Sequence, residues 1–144
     1  MKRRDFVNSA LSAAVAAGLP SIGYARSELA ALTLSGREIS LNGAEIAELG
    51  TSLHGDLLLP NDSGYDQARR AWNGAFDKRP AIIARCRGAS DVMQAVEFAR
   101  SHKLLTAVRA GGHSMAGKSV CEGGIVIDVS SMRGVRVNPH RRTA

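Results

Sequence analysis

The sequence predicts an α+β fold, and this prediction rests on four segments in its second half. Ala81–Cys86 and Leu105–Arg109 are short runs of mainly apolar residues, which is typical of strands. Between them, residues 91–102 repeat apolar side chains at helical spacing. Ile125–Val129 is almost continuously apolar, which indicates a buried strand. This order predicts a strand-helix-strand unit followed by short strands, the last of them over Val135–Asn138.

The helix of this unit is expected to run from Asp91 to about His102, with Ser90 as its N-cap. One apolar stripe should face the core, and it is formed by Val92, Met93, Ala95, Val96 and Ala99. A helix that connects two strands of one sheet makes those strands parallel, and ligands bind beyond the carboxyl ends of such strands. A ligand site is therefore expected in the residues that follow Arg109.

The stretch before this unit carries weaker signals. Residues 26–42 are expected to have low order or to form a loose strand. Ala44–Leu49 predicts a short helix that ends at Gly50, because glycine tolerates the left-handed conformation at a helix stop. Residues 64–71 predict another short helix. We therefore divide the chain into 1–25, an N-terminal extension over 26–75, and a main segment over 76–144.

Length and composition limit the function classes. The 144 residues suffice for one hydrophobic core but not for an additional substrate domain. Only 4% of the residues are aromatic, so a base-stacking site for nucleic acid is not indicated despite the formal charge of +6. Trp72 and Phe76 are expected to pack in the core. Cys86 and Cys121 are too few for a zinc site, no metal is expected, and both should be buried thiols.

The first 25 residues have the layout of an export signal. Paired arginines, Arg3 and Arg4, precede Phe6, and an apolar run of ten residues follows over Ala10–Leu19. This run is too short to span a bilayer, which takes roughly 20 residues, so no membrane anchor is expected. The pattern resembles a twin-arginine signal with cleavage after Ala25. The resemblance implies the twin-arginine export machinery as a partner and a periplasmic or secreted location.

The glycine-rich loop after Arg109 allows two interpretations. Gly112–Ser119 matches the phosphate loop of nucleoside triphosphatases, which are P-loop NTPases. That loop works because a helix begins at its Lys-Ser end and directs amides at the phosphates. Here Lys118 and Ser119 are soon followed by Gly123-Gly124 and a predicted strand, so a helix of useful length is not expected. The NTPase interpretation is therefore the less favoured one.

In the second interpretation, Gly111 and Gly112 take positive φ, and their bare main chain approaches a pyrophosphate. The run Arg109-Ala110-Gly111-Gly112-His113-Ser114, then Gly117, then Gly124–Met132, resembles the N-terminal part of the FAD-linked oxidases of the vanillyl-alcohol-oxidase and berberine-bridge-enzyme type. The similarity extends over about residues 56–144. It implies a partial FAD-binding domain of the PCMH type, preceded by the signal peptide.

The resemblance also implies a cofactor, an activity and site residues. FAD would be cradled by Arg109, Ala110, Gly111, Gly112, His113 and Ser114, with Gly117 also lining it. His113 matches the family histidine that is bonded to the 8α-methyl carbon of the flavin, whereas Cys121 receives no such role. Asp128 and Ser130 are weaker candidates. Ala110 stands where glycine is common.

The implied activity is that of an FAD-dependent oxidoreductase acting on an alcohol, sugar or similar small substrate. No residue of this chain is identified as the catalytic base. The chain is therefore expected to be a truncated form, and a non-catalytic fragment that binds only flavin or another anion is the alternative.

Overall fold

The computed structural model describes residues 28–135 and 137–143, and the predicted signal segment 1–25 lies outside them. The described part is a mixed α/β structure, as expected. Its elements in chain order are β1 (Leu29–Leu32), β2 (Glu38–Leu41), α1 (Gly43–Ser52), β3 (Asp56–Leu58), α2 (Tyr65–Ala68), β4 (Ile82–Arg85), α3 (Ala89–Ser101), β5 (Thr106–Arg109) and β6 (Ile125–Asp128). None of these helices is long and apolar enough to cross a membrane.

The main sheet has the strand order β3-β4-β6-β5. The strands β4, β6 and β5 are parallel, and β3 is antiparallel to β4. The strand-helix-strand unit β4-α3-β5 is confirmed, but β6 is inserted between its two strands. The pairing aligns the last residues of all three parallel strands, Arg85, Asp128 and Arg109, at one edge of the sheet.

Both faces of the parallel strands are covered. On one face, Ile82 and Ile125 pack with Ile46 of α1 and Ala99 of α3. On the other face, Ile83, Val126 and Ala107 pack around the fully buried ring of Tyr65. All four residues of β6 are buried, as its apolar composition predicted. This strand is the centre of the core.

The N-terminal extension is more ordered than its sequence suggests. β1 and β2 form an antiparallel hairpin, which Leu32 attaches to the main sheet through bonds to Leu105 and Gly123. The helix α1 is capped by Asn42, whose Oδ1 accepts from Ala44 N at 2.8 Å. It continues through Gly50, so the predicted stop there is wrong, and Gly50 instead faces the side chain of Leu57.

Two further predictions are corrected in the second half. The helix α3 begins at Ala89 after Gly88, so Ser90 lies inside it and does not cap it. Val135–Asn138 forms no strand in the part that the structure describes, where Asn138 makes only an isolated bridge to Thr143. Among the described residues no strand pairs with this segment, and the side chains of Val135 and Val137 are exposed. Apolar composition alone does not make a strand without a pairing edge.

The buried face of α3 differs from the predicted stripe. Ala95 and Ala99 are buried, but Met93 is 71% and Val96 48% exposed. The core position one turn before Ala95 is taken by Asp91, whose side chain is completely buried. A carboxylate at this position shifts the buried face away from the most apolar residues.

The side chain of Asp91 is held by main-chain amides from two loops, one before β3 and one after β4. Its carboxylate accepts from Arg87 N at 2.8 Å, from His54 N at 3.0 Å and from Gly55 N at 3.1 Å. His54 Nδ1 lies 3.1 Å from the same carboxylate. Burial alone would raise the pKa of Asp91. The hydrogen bonds outweigh this effect and lower the pKa from 3.8 to about 2. The ionised carboxylate therefore joins the turn before β3 to the start of α3.

Replacing Asp91 by Ala should lower the free energy of unfolding by on the order of 3 kcal/mol, because three main-chain amides lose their charged acceptor. Since the folded pKa is depressed from 3.8 to about 2, ionisation stabilises the fold fully above pH 3.8, and this stability is lost as the pH falls towards 2. Urea titrations across this pH range check both effects. The exposed Glu97→Ala is the control, with about 0.5 kcal/mol expected. Identical acid profiles for wild type and Asp91→Asn would contradict the assignment.

Candidate functional site

The glycine-rich loop lies where the strand-helix-strand rule places a ligand. β5 ends at Arg109, and the loop continues from the carboxyl edge of the parallel strands. Residues 111–124 contain turns and bends but no helix. The helix that a triphosphate loop needs after Lys118 is therefore missing, as expected, and the NTPase interpretation lacks its structural basis.

The guanidinium of Arg109 connects this loop to the end of α2 and to the chain after it. Its Nη1 donates to the carbonyl oxygens of Ala68 at 2.7 Å and Arg70 at 2.6 Å. The same guanidinium also lies beside Gly112, where an added Cβ would be 3.4 Å from its Cζ. Arg109 thus has a structural role inside the protein, and its contact with a cofactor stays a prediction.

Residues 68–76, which we call the wall segment, run along the loop and are bonded to it twice more. Trp72 N donates to Gly112 O at 3.1 Å, and Asn73 Nδ2 donates to Met115 O at 2.9 Å. The core position expected for Trp72 is wrong, since its side chain is 67% exposed. Phe76 is half-buried and packs against the loop. The wall segment and the loop therefore form one unit.

The glycines of the loop differ in conformation and in surroundings. Gly112 has a φ of +71°, as predicted, whereas Gly111 does not adopt the left-handed region. At Gly111 an added Cβ would meet only the exposed ring of His113, which is free to turn away. Gly117 has a φ of +63°, and an added Cβ would overlap the ring of Phe76. Packing against Phe76 therefore explains Gly117 without any ligand.

Two of the three remaining candidate residues are open to solvent, and the third is partly buried. Ala110 and His113 are exposed, and the ring of His113 makes no hydrogen bond within the described ranges. Ser114 closes a turn: its carbonyl accepts from Gly117 N and its Oγ accepts from Lys118 N, both at 3.1 Å. His113 is thus accessible, and Ser114 fixes the loop behind it.

Five consecutive main-chain amides of this loop lack a partner. In the described part of the chain, no acceptor is found for the N–H groups of residues 110–114. Residues 109–119 include no acidic side chain, and they carry the positive charges of Arg109 and Lys118. Clustered amides with nearby positive charge bind anions. The residues present therefore fit a diphosphate.

The weaker candidate Asp128 serves the fold. It is buried at the end of β6, and its Oδ1 accepts from Ser130 N at 2.9 Å. This hydrogen bond caps the turn that follows β6, a common role for aspartate. Cys86 and Cys121 are buried free thiols, as expected, and burial raises the pKa of Cys86 to about 11.

Comparison with known proteins bears on the segment that contains this loop. Residues 80–144 match the family described as the FAD binding domain. The chain is related to the FAD-linked oxidoreductases. It is 38% identical over 87 residues to (R)-6-hydroxynicotine oxidase of Paenarthrobacter nicotinovorans, which covers 60% of this chain and 19% of that protein. It is also 32% identical over 94 residues to the FAD-linked oxidoreductase YgaK of Bacillus subtilis, covering 65% of this chain and 21% of that relative.

Solved structures agree with this relationship. The crystal structure of 6-hydroxy-D-nicotine oxidase from Arthrobacter nicotinovorans superposes with a TM-score of 0.58 at 38% identity, over 60% of this chain and 19% of that one. BBE-like 1 of Physcomitrella patens superposes with a TM-score of 0.59 at 22% identity, over 66% and 21%, and shows the fold alone. The chain thus spans about a fifth of the length of these relatives. The family resemblance and its FAD cofactor are confirmed, and the roles of individual site residues stay predictions.

Gly117→Ala should destabilise the protein for two reasons. The left-handed backbone costs roughly 1–2 kcal/mol for any residue with a Cβ, and the overlap with Phe76 adds to this. Gly36→Ala is the matched control, because Gly36 has a φ of +77° but nothing within 4 Å of its added Cβ. Chemical denaturation of both variants measures the difference. Equal losses would show that the contact with Phe76 carries no energy.

Proposed function

We propose that this chain is the FAD-binding part of an exported FAD-linked oxidoreductase, in a domain of the PCMH type. The observation that carries the proposal is the set of five adjacent amides without acceptors at residues 110–114, at the carboxyl edge of the parallel strands. The relationship to FAD-linked oxidoreductases over residues 80–144 supports the choice of FAD over other anions.

In this proposal the loop holds the pyrophosphate by its main chain. The amides of Ala110 to Ser114 donate to the phosphate oxygens, and charge from Arg109 and Lys118 favours the anion. Gly112 allows the close approach, since it has no Cβ and already adopts a left-handed conformation. The bonds of Arg109 to the wall segment keep the amides in place before the anion arrives. A bound FAD supplies the acceptor for the two electrons removed from a substrate.

His113 is proposed to form a covalent bond to the 8α-methyl carbon of the flavin. A neutral imidazole nitrogen is nucleophilic near neutral pH, and the side chain of His113 is exposed and without a hydrogen-bonded partner in the described ranges. The bond joins this nitrogen to the methyl carbon, while one N–H and one C–H bond break. A bound flavin would itself supply the acceptor for the two electrons and two protons that this bond formation releases.

The substrate class and location are also part of the proposal. The substrate is an alcohol, a sugar or a similar small molecule, as the resemblance implies. The paired arginines at the N-terminus direct the folded chain through the twin-arginine machinery to the periplasm or the exterior. A covalent bond would keep the cofactor attached after export. No nucleic acid takes part.

The His113→Ala variant tests the covalent bond. The full chain is incubated with FAD and precipitated with acid, and flavin absorbance is measured in the washed pellet and in the supernatant. Wild type should keep flavin in the pellet, and His113→Ala should release all of it. His140→Ala, which removes another exposed histidine, should behave as wild type. A colourless wild-type pellet would reject the covalent bond. If the flavin then appears in the acid supernatant of a chain that held it before precipitation, the chain binds FAD non-covalently and the binding site is still supported.

The double variant Arg3→Lys with Arg4→Lys tests export. Paired arginines are the feature that distinguishes this signal, so the variant should stay in the cytoplasmic fraction, whereas wild type is recovered from the periplasm or the medium. Cell fractionation with immunoblotting measures the distribution. Arg26→Lys lies after the expected cleavage site and is the control. Cytoplasmic recovery of the wild type would contradict the proposed location.

A further inference from the structure

The indole of Trp72 is largely exposed in the folded chain. Trp72 is the only tryptophan of the chain, and its side chain is 67% exposed. Within the described residues its ring makes no contact with another ring or with a cation, and only its backbone is bonded. Tryptophan is among the residues that dominate binding sites when a large apolar ring stays accessible. Its position relative to the loop decides what it could bind.

The backbone of Trp72 lies beside the residue that precedes His113. Trp72 N donates to Gly112 O at 3.1 Å, and Gly112 directly precedes His113. Asn73, the next residue, is bonded to Met115 on the other side of His113 at 2.9 Å. The side chain of Met115 is itself 67% exposed. The accessible apolar side chains of Trp72 and Met115 therefore belong to two hydrogen-bonded segments, the wall segment and the loop.

The wall segment is held by other groups, so the indole is not needed to place it. Arg109 binds the carbonyls of Ala68 and Arg70, and Arg69 is bonded to Asp66 at 2.6 Å and also to Asp77. Two other aromatic rings of this region, unlike the indole, are packed inside the fold. Tyr65 is buried with its hydroxyl bonded to Pro80 O at 2.6 Å, and Phe76 packs on Gly117.

We propose that Trp72 is a stacking residue for the isoalloxazine ring of the flavin. This inference rests on the proposed function, because it needs FAD at the loop. An electron-rich indole and an electron-poor planar ring attract each other by stacking, and tryptophan offers this area with few rotatable bonds. The isoalloxazine is chosen over the adenine because Trp72 is bonded to the residue that precedes His113, the group assigned to the isoalloxazine methyl. Trp72 thus orients the ring for that residue.

The test compares flavin and adenine probes in a His113→Ala background, where binding stays reversible. FAD, FMN and ADP are titrated into the full chain with and without Trp72→Ala, and dissociation constants are measured by equilibrium dialysis. Loss of one stacked ring should weaken FAD and FMN about tenfold and leave ADP unchanged. Trp72→Phe should retain most of the affinity. Flavin fluorescence, which indole quenches on stacking, should be higher in the Trp72→Ala complex than in the parent complex.

The controls separate this inference from the proposed function. Met93→Ala removes another exposed apolar side chain, away from the loop, and should change none of the constants. Because the indole is exposed, Trp72→Ala should unfold at the same temperature as its parent. Unchanged FAD affinity in Trp72→Ala would overturn the stacking role while leaving the FAD site standing. Weakened ADP with unchanged FMN would overturn the assignment to the isoalloxazine. A parent chain that binds none of the probes would overturn both proposals.

Discussion

The candidate site depends on two hydrogen bonds that the Arg109 guanidinium donates to main-chain carbonyls. The Arg109 guanidinium joins the end of β5 to Ala68, the last residue of α2, and to Arg70 in the chain that follows. Through these hydrogen bonds, the loop that carries the open amides and the imidazole is joined to the segment that carries the exposed indole. Arg109, which the sequence assigns to cofactor binding, therefore also holds together the two segments that form the candidate site. A charged donor suits this purpose, since its bonds to carbonyls are stronger than those between neutral groups.

The elements that could be predicted are those whose signal is local. The strands at Ile82–Arg85, Thr106–Arg109 and Ile125–Asp128 follow from short apolar runs, and the loop after Arg109 follows from its glycines. The features that could not be predicted depend on contacts between distant residues. Asp91 is an example, because only the three amides that converge on it make burial of a carboxylate favourable. The same holds for Trp72, since an aromatic residue is assigned to the core unless its neighbours are known to be loops.

The loop illustrates how one sequence pattern can serve two kinds of phosphate site. A triphosphate loop relies on the first turn of a helix, whereas this loop turns at Gly112 and Ser114 and then leads into the buried central strand. The donors come from successive peptide groups of an irregular segment, so their direction depends on the packing behind them. Phe76 against Gly117 and Arg109 beside Gly112 supply that packing. The sequence pattern indicates which main-chain amides can donate hydrogen bonds. The packing of the loop against the wall segment determines where these amides point.

The insertion of β6 between β4 and β5 also has a consequence for biosynthesis. The unit β4-α3-β5 is complete at Arg109, yet its two strands are not neighbours and share no hydrogen bonds. Their common partner emerges from the ribosome only after the whole loop has been translated. Until then the growing chain exposes two unpaired strand edges, the kind of surface that chaperones recognise. The sheet and the loop are therefore expected to become ordered in a single late step, and a nascent chain arrested before Ile125 should remain open to proteases.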